Sequence, residues 1–303
     1  MTPATSLVAA TAREPGVLEV RDLTVRYHRG IRKPPFTALH EVSLAVGPAE
    51  TVALVGESGS GKSTLGNAIL GLVPAASGTI AFRGEDITCA RPRRRRALTA
   101  DIQAVFQDPY GSLNPVRTVG QTLAEPLLAH ERREVRGAER TARVRAALEQ
   151  VGLSADDAAR YPGQFSGGQR QRIAIARALV PSPRLIICDE PLSALDLSVQ
   201  AQILNLLRDL QGDLGVSYLF ITHDLAVVPH IAHRVAVLYR GRVVETGPAR
   251  QLCSAPRHPY TQALVAAAPM PDPVQQRARR RAYRAYQAAD EARAPAAALS
   301  DPP

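Results

Sequence analysis

From Gly56 to Thr64 the chain reads Gly-Glu-Ser-Gly-Ser-Gly-Lys-Ser-Thr, which fits the spacing G-x-x-x-x-G-K-[ST] without a substitution. Residues of these types suit one task, the cradling of a phosphate chain. Gly56, Gly59 and Gly61 admit backbone angles closed to residues with a Cβ, so successive N–H groups can curl around an anion, with Glu57, Ser58 and Ser60 as the other candidate residues of the loop. Lys62 then reaches the β- and γ-phosphates, Ser63, at the last position of the pattern, offers its hydroxyl to Mg²⁺, and Thr64 follows as a further candidate for the nucleotide. Of 37 basic residues only Lys33 and Lys62 are lysine. Lysine stands where a bulky guanidinium could not replace a point charge threaded into a loop.

Other reactive residues fall at the ends of apolar runs. Leu185-Ile-Ile-Cys188 ends in Asp189-Glu190, an acidic pair suited to metal binding and base chemistry. Ser217 to Thr222 ends in His223, and Ile102 to Phe106 is followed at once by Gln107. A histidine at a strand end is more often structural, but this one sits at a further strand end beside the same crevice. Ser166-Gly167-Gly168-Gln169 opens a helix and offers a second anion site of backbone N–H groups and a hydroxyl. Ser193 to Asp196 follows the acidic pair, and Tyr27 closes the first strand, where a purine base could stack on its ring.

These residues need a scaffold, and the periodicity supplies an α/β one. Glu50 to Val55 is a buried parallel strand feeding a helix over Ser63 to Leu72, so the glycine loop lies at a strand-to-helix turn. Leu18 to Tyr27, His40 to Val46, Gly78 to Phe82 and Ile102 to Phe106 are predicted as strands. Val116 to Glu149 is predicted as mostly helical, an insertion rather than another sheet layer. Helices over Arg170 to Leu179 and Ser198 to Leu210 follow, then a hairpin of Val235 to Leu238 with Arg242 to Glu245. A short helix begins near Thr261, and Pro269 to Pro303, rich in Ala, Arg and Pro, is expected to be mobile.

Composition narrows the function classes. The net charge of +9 is largely local, in Arg91 to Arg96 and Arg277 to Arg284, both expected to be a solvated loop or tail. Aromatic residues are 4% with no tryptophan, so stacking residues do not interleave with the arginines and nucleic acid is not the expected partner. No run approaches 18 apolar residues, and Met1 to Gly16 lacks a signal peptide's pattern, which points to a cytoplasmic protein. Cys89, Cys188 and Cys253 are too few and too dispersed for a disulfide framework, and Cys188 is expected to be a buried hydrophobe.

Taken in order, Gly56 to Thr64, Gln107, Ser166 to Gln169, Asp189-Glu190, Ser193 to Asp196 and His223 resemble the nucleotide-binding subunit of an ATP-binding cassette (ABC) transporter over about residues 17–250. Phe165 opens the signature where leucine is commonest, and keeps an apolar anchor. Pro256-Arg-His-Pro-Tyr-Thr261 is similar to the C-terminal extension of the oligopeptide and dipeptide importer branch. The resemblance implies a P-loop NTPase core with a RecA-like, mostly parallel sheet, an antiparallel β subdomain and an α-helical signature subdomain at about 108–182. Residues 1–16 become a tail and 251–303 an extension with a mobile end.

The resemblance also implies a mechanism. ATP binds with Mg²⁺, which Ser63, Gln107 and Asp189 hold; Glu190 activates water and His223 senses the γ-phosphate. Ser166, Gly167, Gly168, Gln169 and Asp196 serve a nucleotide held by a second, identical or homologous cassette. Two transmembrane permease subunits and an extracytoplasmic solute-binding protein are the implied partners, at the cytoplasmic face of the inner membrane. The implied solute is a peptide, with nickel, sugar or another small solute as the alternative, and a nucleic-acid-associated ABC ATPase less favoured. Some related extensions carry an iron–sulfur cluster, but Cys253 stands alone there, so an iron-free protein is expected. The turn from His258 to Thr261 is expected to act by packing, with nucleotide binding surviving removal of residues 255–303.

Overall fold

The strands Thr51–Val55 and Ser217–Thr222 are buried at every position, as strands covered on both faces must be. They are the centre of the computed structural model, which describes residues 16–28, 30, 34–107, 111, 113–130 and 137–267. The arginine run at 277–284, the tail from 269 and all but the last residue of Met1 to Gly16 lie outside the described residues.

An antiparallel sheet comes first. β1 (Leu18–Tyr27) pairs with β2 (Phe36–Val46) and β4 (Ser77–Phe82), and β4 pairs with the short β5 (Glu85–Asp86). β2 starts four residues before the predicted His40, because Phe36 and Thr37 still pair with Tyr27 and Arg26. The second sheet runs β10-β9-β3-β8-β7-β6 and contains β3 (Thr51–Val55), β6 (Ile102–Val105), β7 (Leu185–Asp189), β8 (Ser217–Thr222), β9 (Arg234–Tyr239) and β10 (Arg242–Pro248). Its pairings are parallel apart from the β9–β10 hairpin.

Alternation along these strands sorts side chains into cores. Val52 and Leu54, Ile187, Leu219 and Ile221 face the antiparallel sheet and α1 (Lys62–Leu70), which contributes Leu65, Ala68 and Ile69. Ile186, Cys188, Tyr218 and Phe220 face the other way, onto the helical layer. That layer contains α3 (Val119–His130), α4 (Gly137–Gln150), α5 (Gly167–Leu179) and α6 (Leu197–Leu214). Ala53, Val55, Val235 and Val237 meet a third cluster, built by α7 (Val228–Ile231), α8 (Ala249–Ser254) and α9 (Pro259–Ala267). Cys188 is fully buried, and burial pushes its thiol up to about 12, as expected of a small hydrophobe.

One expectation is corrected. The arginine block is not a loop but opens α2 (Pro92–Leu98), with Pro92 at the first helical position where its missing N–H costs nothing. Arg95 turns inward and donates to the carbonyls of Ile69 at 2.9 Å and Ile87 at 2.6 Å. It thereby caps the last turn of α1, whose carbonyls have no helical partner. Arg94 pairs with Glu85, while Arg91, Arg93 and Arg96 are exposed. Charge counting cannot separate the one structural arginine from its solvated neighbours. Arg95→Ala should lower stability by about 1–3 kcal/mol, read as a shift in the urea midpoint, whereas Arg93→Ala should leave the midpoint unchanged.

Candidate functional site

Register decides which residues meet. Val55 lies opposite Thr222, Asp189 opposite Ile221 and Val105 opposite Cys188. Gly56, Glu190, His223 and Gln107 therefore leave one edge of the sheet together, at the carboxyl ends of its parallel strands.

The loop after β3 is shaped by close approach. A Cβ on Gly56 would stand 2.2 Å from the Leu238 carbonyl oxygen, and one on Gly61 2.8 Å from that of Ala38. Gly61 caps α1 at φ 105° and Gly59 lies at φ 78°, both in the left-handed region. Lys62 is only 5% exposed, and its Nζ donates to the carbonyls of Gly56 at 2.8 Å and Glu57 at 2.7 Å. Burial pulls this ammonium below the ordinary lysine range, against the attraction of Glu190, Asp189 and Glu57.

Across the loop, Ser63 Oγ donates to Asp189 Oδ1 at 3.2 Å. Burial raises the Asp189 carboxyl above its usual range; the Ser63 bond and Lys62 oppose this, and Glu190 adds to it. Glu190 sits at φ 47°, a left-handed angle uncommon for a residue with a side chain, and its N–H donates to the Ile221 carbonyl at 3.0 Å. Its Oε2 lies 3.1 Å from His223 Nδ1 and accepts from Gln107 Nε2 at 3.4 Å. Strain of this kind is retained where surrounding structure over-determines it, and here it aims a carboxylate between an imidazole and an amide.

Most of the predicted site shares one cleft of about 720 Å³. Glu57, Ser58, Gly59, Gly61, Lys62, Ser63 and Thr64 form its floor, and Gln107, Glu190 and His223 its rim. Tyr27 lines it as well, its hydroxyl 3.5 Å from Thr64 Oγ1. Gly56 is buried behind the loop, and Ser60 is buried with its carbonyl accepting from the Gly241 N–H at 3.0 Å.

Asp189 does not line the cleft and meets it through Ser63, and two further groups lie outside it. Ser166 caps α5, accepting from the Gln169 N–H at 3.3 Å, while Gln169 Oε1 accepts from the Ser166 N–H at 3.0 Å. Gly167 begins that helix, and Gly168 packs where a Cβ would meet Val199 at 2.6 Å. Asp196 caps α6, accepting from Ser198 Oγ at 2.6 Å and the Val199 N–H at 3.0 Å, bonds that hold its carboxyl below the usual range. In this chain alone these residues are helix caps.

Sequence reasoning missed three residues that line the cleft, Phe36, Ala38 and Leu264, and a fourth, Tyr260, that bonds the loop from within the core. Phe36 stands directly across the strands from Tyr27 and is 45% exposed, so two rings flank the cleft mouth; the signal is the cross-strand register, which a strand beginning at His40 does not contain. Leu264, on α9, also lines the cleft, and Tyr260 Oη accepts from the Glu57 N–H at 3.0 Å. The extension therefore touches the glycine loop directly, and removal of residues 255–303 would delete this bond. No local pattern could have placed Tyr260 there, since the contact joins residues 203 apart in the chain.

The family model described as "ABC transporter" matches residues 39–193, and that described as "Oligopeptide/dipeptide transporter, C-terminal region" matches residues 244–294. The Glutathione import ATP-binding protein GsiA of Escherichia coli (strain K12) is 51% identical over 269 residues, 87% of this chain and 43% of the relative. That of Shigella flexneri serotype 5b (strain 8401) is 50% identical with the same coverage. The chain thus spans less than half the length of these curated relatives. Among solved structures, the dimeric post-hydrolysis state of the ATP-binding cassette MJ0796 bound to ADP and Pi is 32% identical at a TM-score of 0.69, covering 77% of this chain and 99% of that one. The structure of cbiO1 from Clostridium perfringens, part of the ABC transporter complex cbiONQ, is 30% identical at a TM-score of 0.72, covering 80% and 92%.

The Gly56–Leu238 contact can be tested without any ligand. Gly56→Ala drives a methyl into a backbone carbonyl that has no room to yield, at a cost of about 1–3 kcal/mol. The thermal midpoint should fall, while Gly59→Ala, where nothing lies within 4 Å of the added carbon, should be affected only by its backbone angle and fall less.

Proposed function

Because the chain belongs to the ABC transporter family, we propose that it is the ATP-hydrolysing subunit that energises an importer for peptides, converting ATP and water to ADP and phosphate. The observation that carries this reading is the Glu190 carboxylate held beside His223 and Gln107 on the rim of a cleft floored by Lys62. Phosphoryl transfer asks the protein for positioning and charge stabilisation, and each group has a part. The glycine loop and Lys62 hold the β- and γ-phosphates, and Tyr27 and Phe36 flank the base. The oxygens of Ser63, Asp189 and Gln107 suit a hard divalent cation, so these residues would hold Mg²⁺, which supplies charge neutralisation on the phosphates. Glu190 takes a proton from the attacking water while His223 donates to the γ-phosphate.

The caps at Ser166 and Asp196 fit a site completed by a second cassette, identical or homologous. Gly167, Gly168 and Gln169 sit at the positive end of α5, so an anion on another chain could meet backbone N–H groups there. Assembly with two permease subunits is supported by an apolar groove of about 380 Å³ lined by Leu72, Phe106, Pro126 and Ala129, with Leu72 65% exposed. No helix among the described residues is long and apolar enough to cross a membrane, which suits a peripheral subunit at the cytoplasmic face of the inner membrane. The peptide solute, and the solute-binding protein that would deliver it, rest on the match of residues 244–294 and on relatives named for glutathione import.

Glu190→Gln keeps shape and hydrogen-bonding reach but removes the base, so turnover should fall about 10²- to 10⁴-fold with ATP binding retained. Turnover near wild type in a phosphate-release assay would remove Glu190 from the mechanism. Leu72→Asp should leave nucleotide affinity within about twofold, as surface changes do, yet abolish co-purification with the membrane subunits.

A further inference from the structure

The Gly56–Glu57 peptide is a planar trans unit, so its carbonyl and its N–H point in opposite directions and turn together. Both ends are held. The Gly56 carbonyl accepts from Lys62 Nζ at 2.8 Å, and the Glu57 N–H donates to Tyr260 Oη at 3.0 Å. Rotating this one amide would therefore move the acceptor that orients the ammonium. The Glu57 N–H is also withdrawn from the set that can point at an anion.

Tyr260 is placed for this by its own short chain of bonds. The Glu245 carboxylate, on β10, accepts from the N–H groups of Arg257 and His258 at 2.8 and 3.0 Å, and His258 Nδ1 accepts from the Tyr260 N–H at 3.1 Å. The ring is fully buried and lies 4.1 Å from that of Tyr239, inclined at 32°. Packing alone would be served as well by phenylalanine. The hydroxyl adds only a polar atom to a buried site, which costs free energy unless a partner is met, and the partner is the loop.

We propose that Tyr260 is a positioning residue for nucleotide binding: its hydroxyl fixes the plane of the Gly56–Glu57 peptide and, through the Gly56 carbonyl, the Lys62 ammonium, so that the C-terminal extension sets nucleotide affinity. The inference rests on the nucleotide reading above. It makes the extension part of the phosphate loop's support rather than an appendage.

The test is Tyr260→Phe in the full chain, with ATP and ADP affinity measured by calorimetry, alone and in the Lys62→Ala background titrated to millimolar nucleotide. With the ring retained, the thermal midpoint should change little, and both nucleotides should bind about three- to tenfold more weakly, the factor of one hydrogen bond. In Lys62→Ala the same change should have no further effect, because the group it acts through is gone. Amide exchange of the segment containing Glu57 should quicken in Tyr260→Phe, a readout that does not depend on nucleotide. Wild-type affinity in Tyr260→Phe, an equal loss in both backgrounds, or unchanged exchange would overturn the proposal. A wild-type chain that binds no nucleotide would instead overturn the reading beneath it, and this inference with it.

Discussion

A loop that turns its N–H groups outward to an anion must turn its carbonyls inward, and those carbonyls need donors. Here the donor is the loop's own lysine. Lys62 Nζ bonds the carbonyls of Gly56 and Glu57, and the loop can close this tightly because Gly56 lies against the Leu238 backbone with no side chain between. The requirement spreads outward from there. Leu238 must be held at that distance by β9, which pairs in parallel with β3 from Val52 to Val55, and Gly241 must reach back to bond the Ser60 carbonyl. The hairpin that ends the sheet is thus the back wall of the loop at its front.

The same edge explains why the acid, the imidazole and the amide coincide. In a parallel sheet every strand enters its next loop at the same end, so residues far apart in sequence meet without any loop having to travel. Asp189 ends β7 and Glu190 follows it, His223 follows β8 and Gln107 follows β6, all at the edge where the glycine loop begins. The glycines, the acidic pair and the strand-end histidine were legible in the sequence because each is a local pattern on a strongly apolar run. Their order across the sheet was not, since strand order depends on pairings that no single segment encodes. Phe36 and Leu264 were missed for the same reason: each joins the cleft through a partner on another element.

Arginine shows a second limit of sequence reading. Arg91, Arg93, Arg94, Arg95 and Arg96 are chemically alike and adjacent, yet only Arg95 turns onto backbone carbonyls at the end of α1. The difference lies in helical geometry, because α2 presents one of its faces to Gly71, whose missing side chain leaves room for the guanidinium. Ser166 and Asp196, which the resemblance assigns to a second cassette's nucleotide, are a milder case. Their motifs were recognised, but within one chain their side chains are taken up in capping α5 and α6. A capping box leaves the helix's remaining N–H groups facing outward, so the local role and the proposed one toward a second cassette do not compete for the same donors.

The charges beside the cleft depend on one another. Burial lowers the proton affinity of Lys62 and raises that of Asp189, so each alone would drift toward its neutral form, and each is part of what keeps the other charged. An arrangement of this kind is favourable only while every charge keeps a partner close by, because removing one leaves the other buried and uncompensated. A nucleotide carrying a divalent cation has the matching pattern, with anionic oxygens for the ammonium and a cation for the carboxylate. Such a ligand can replace the internal partners without changing the balance. The Ser63 hydroxyl donates to Asp189 at 3.2 Å, so freeing that carboxylate for a ligand asks only for rotation of a small group on a loop whose backbone is already fixed.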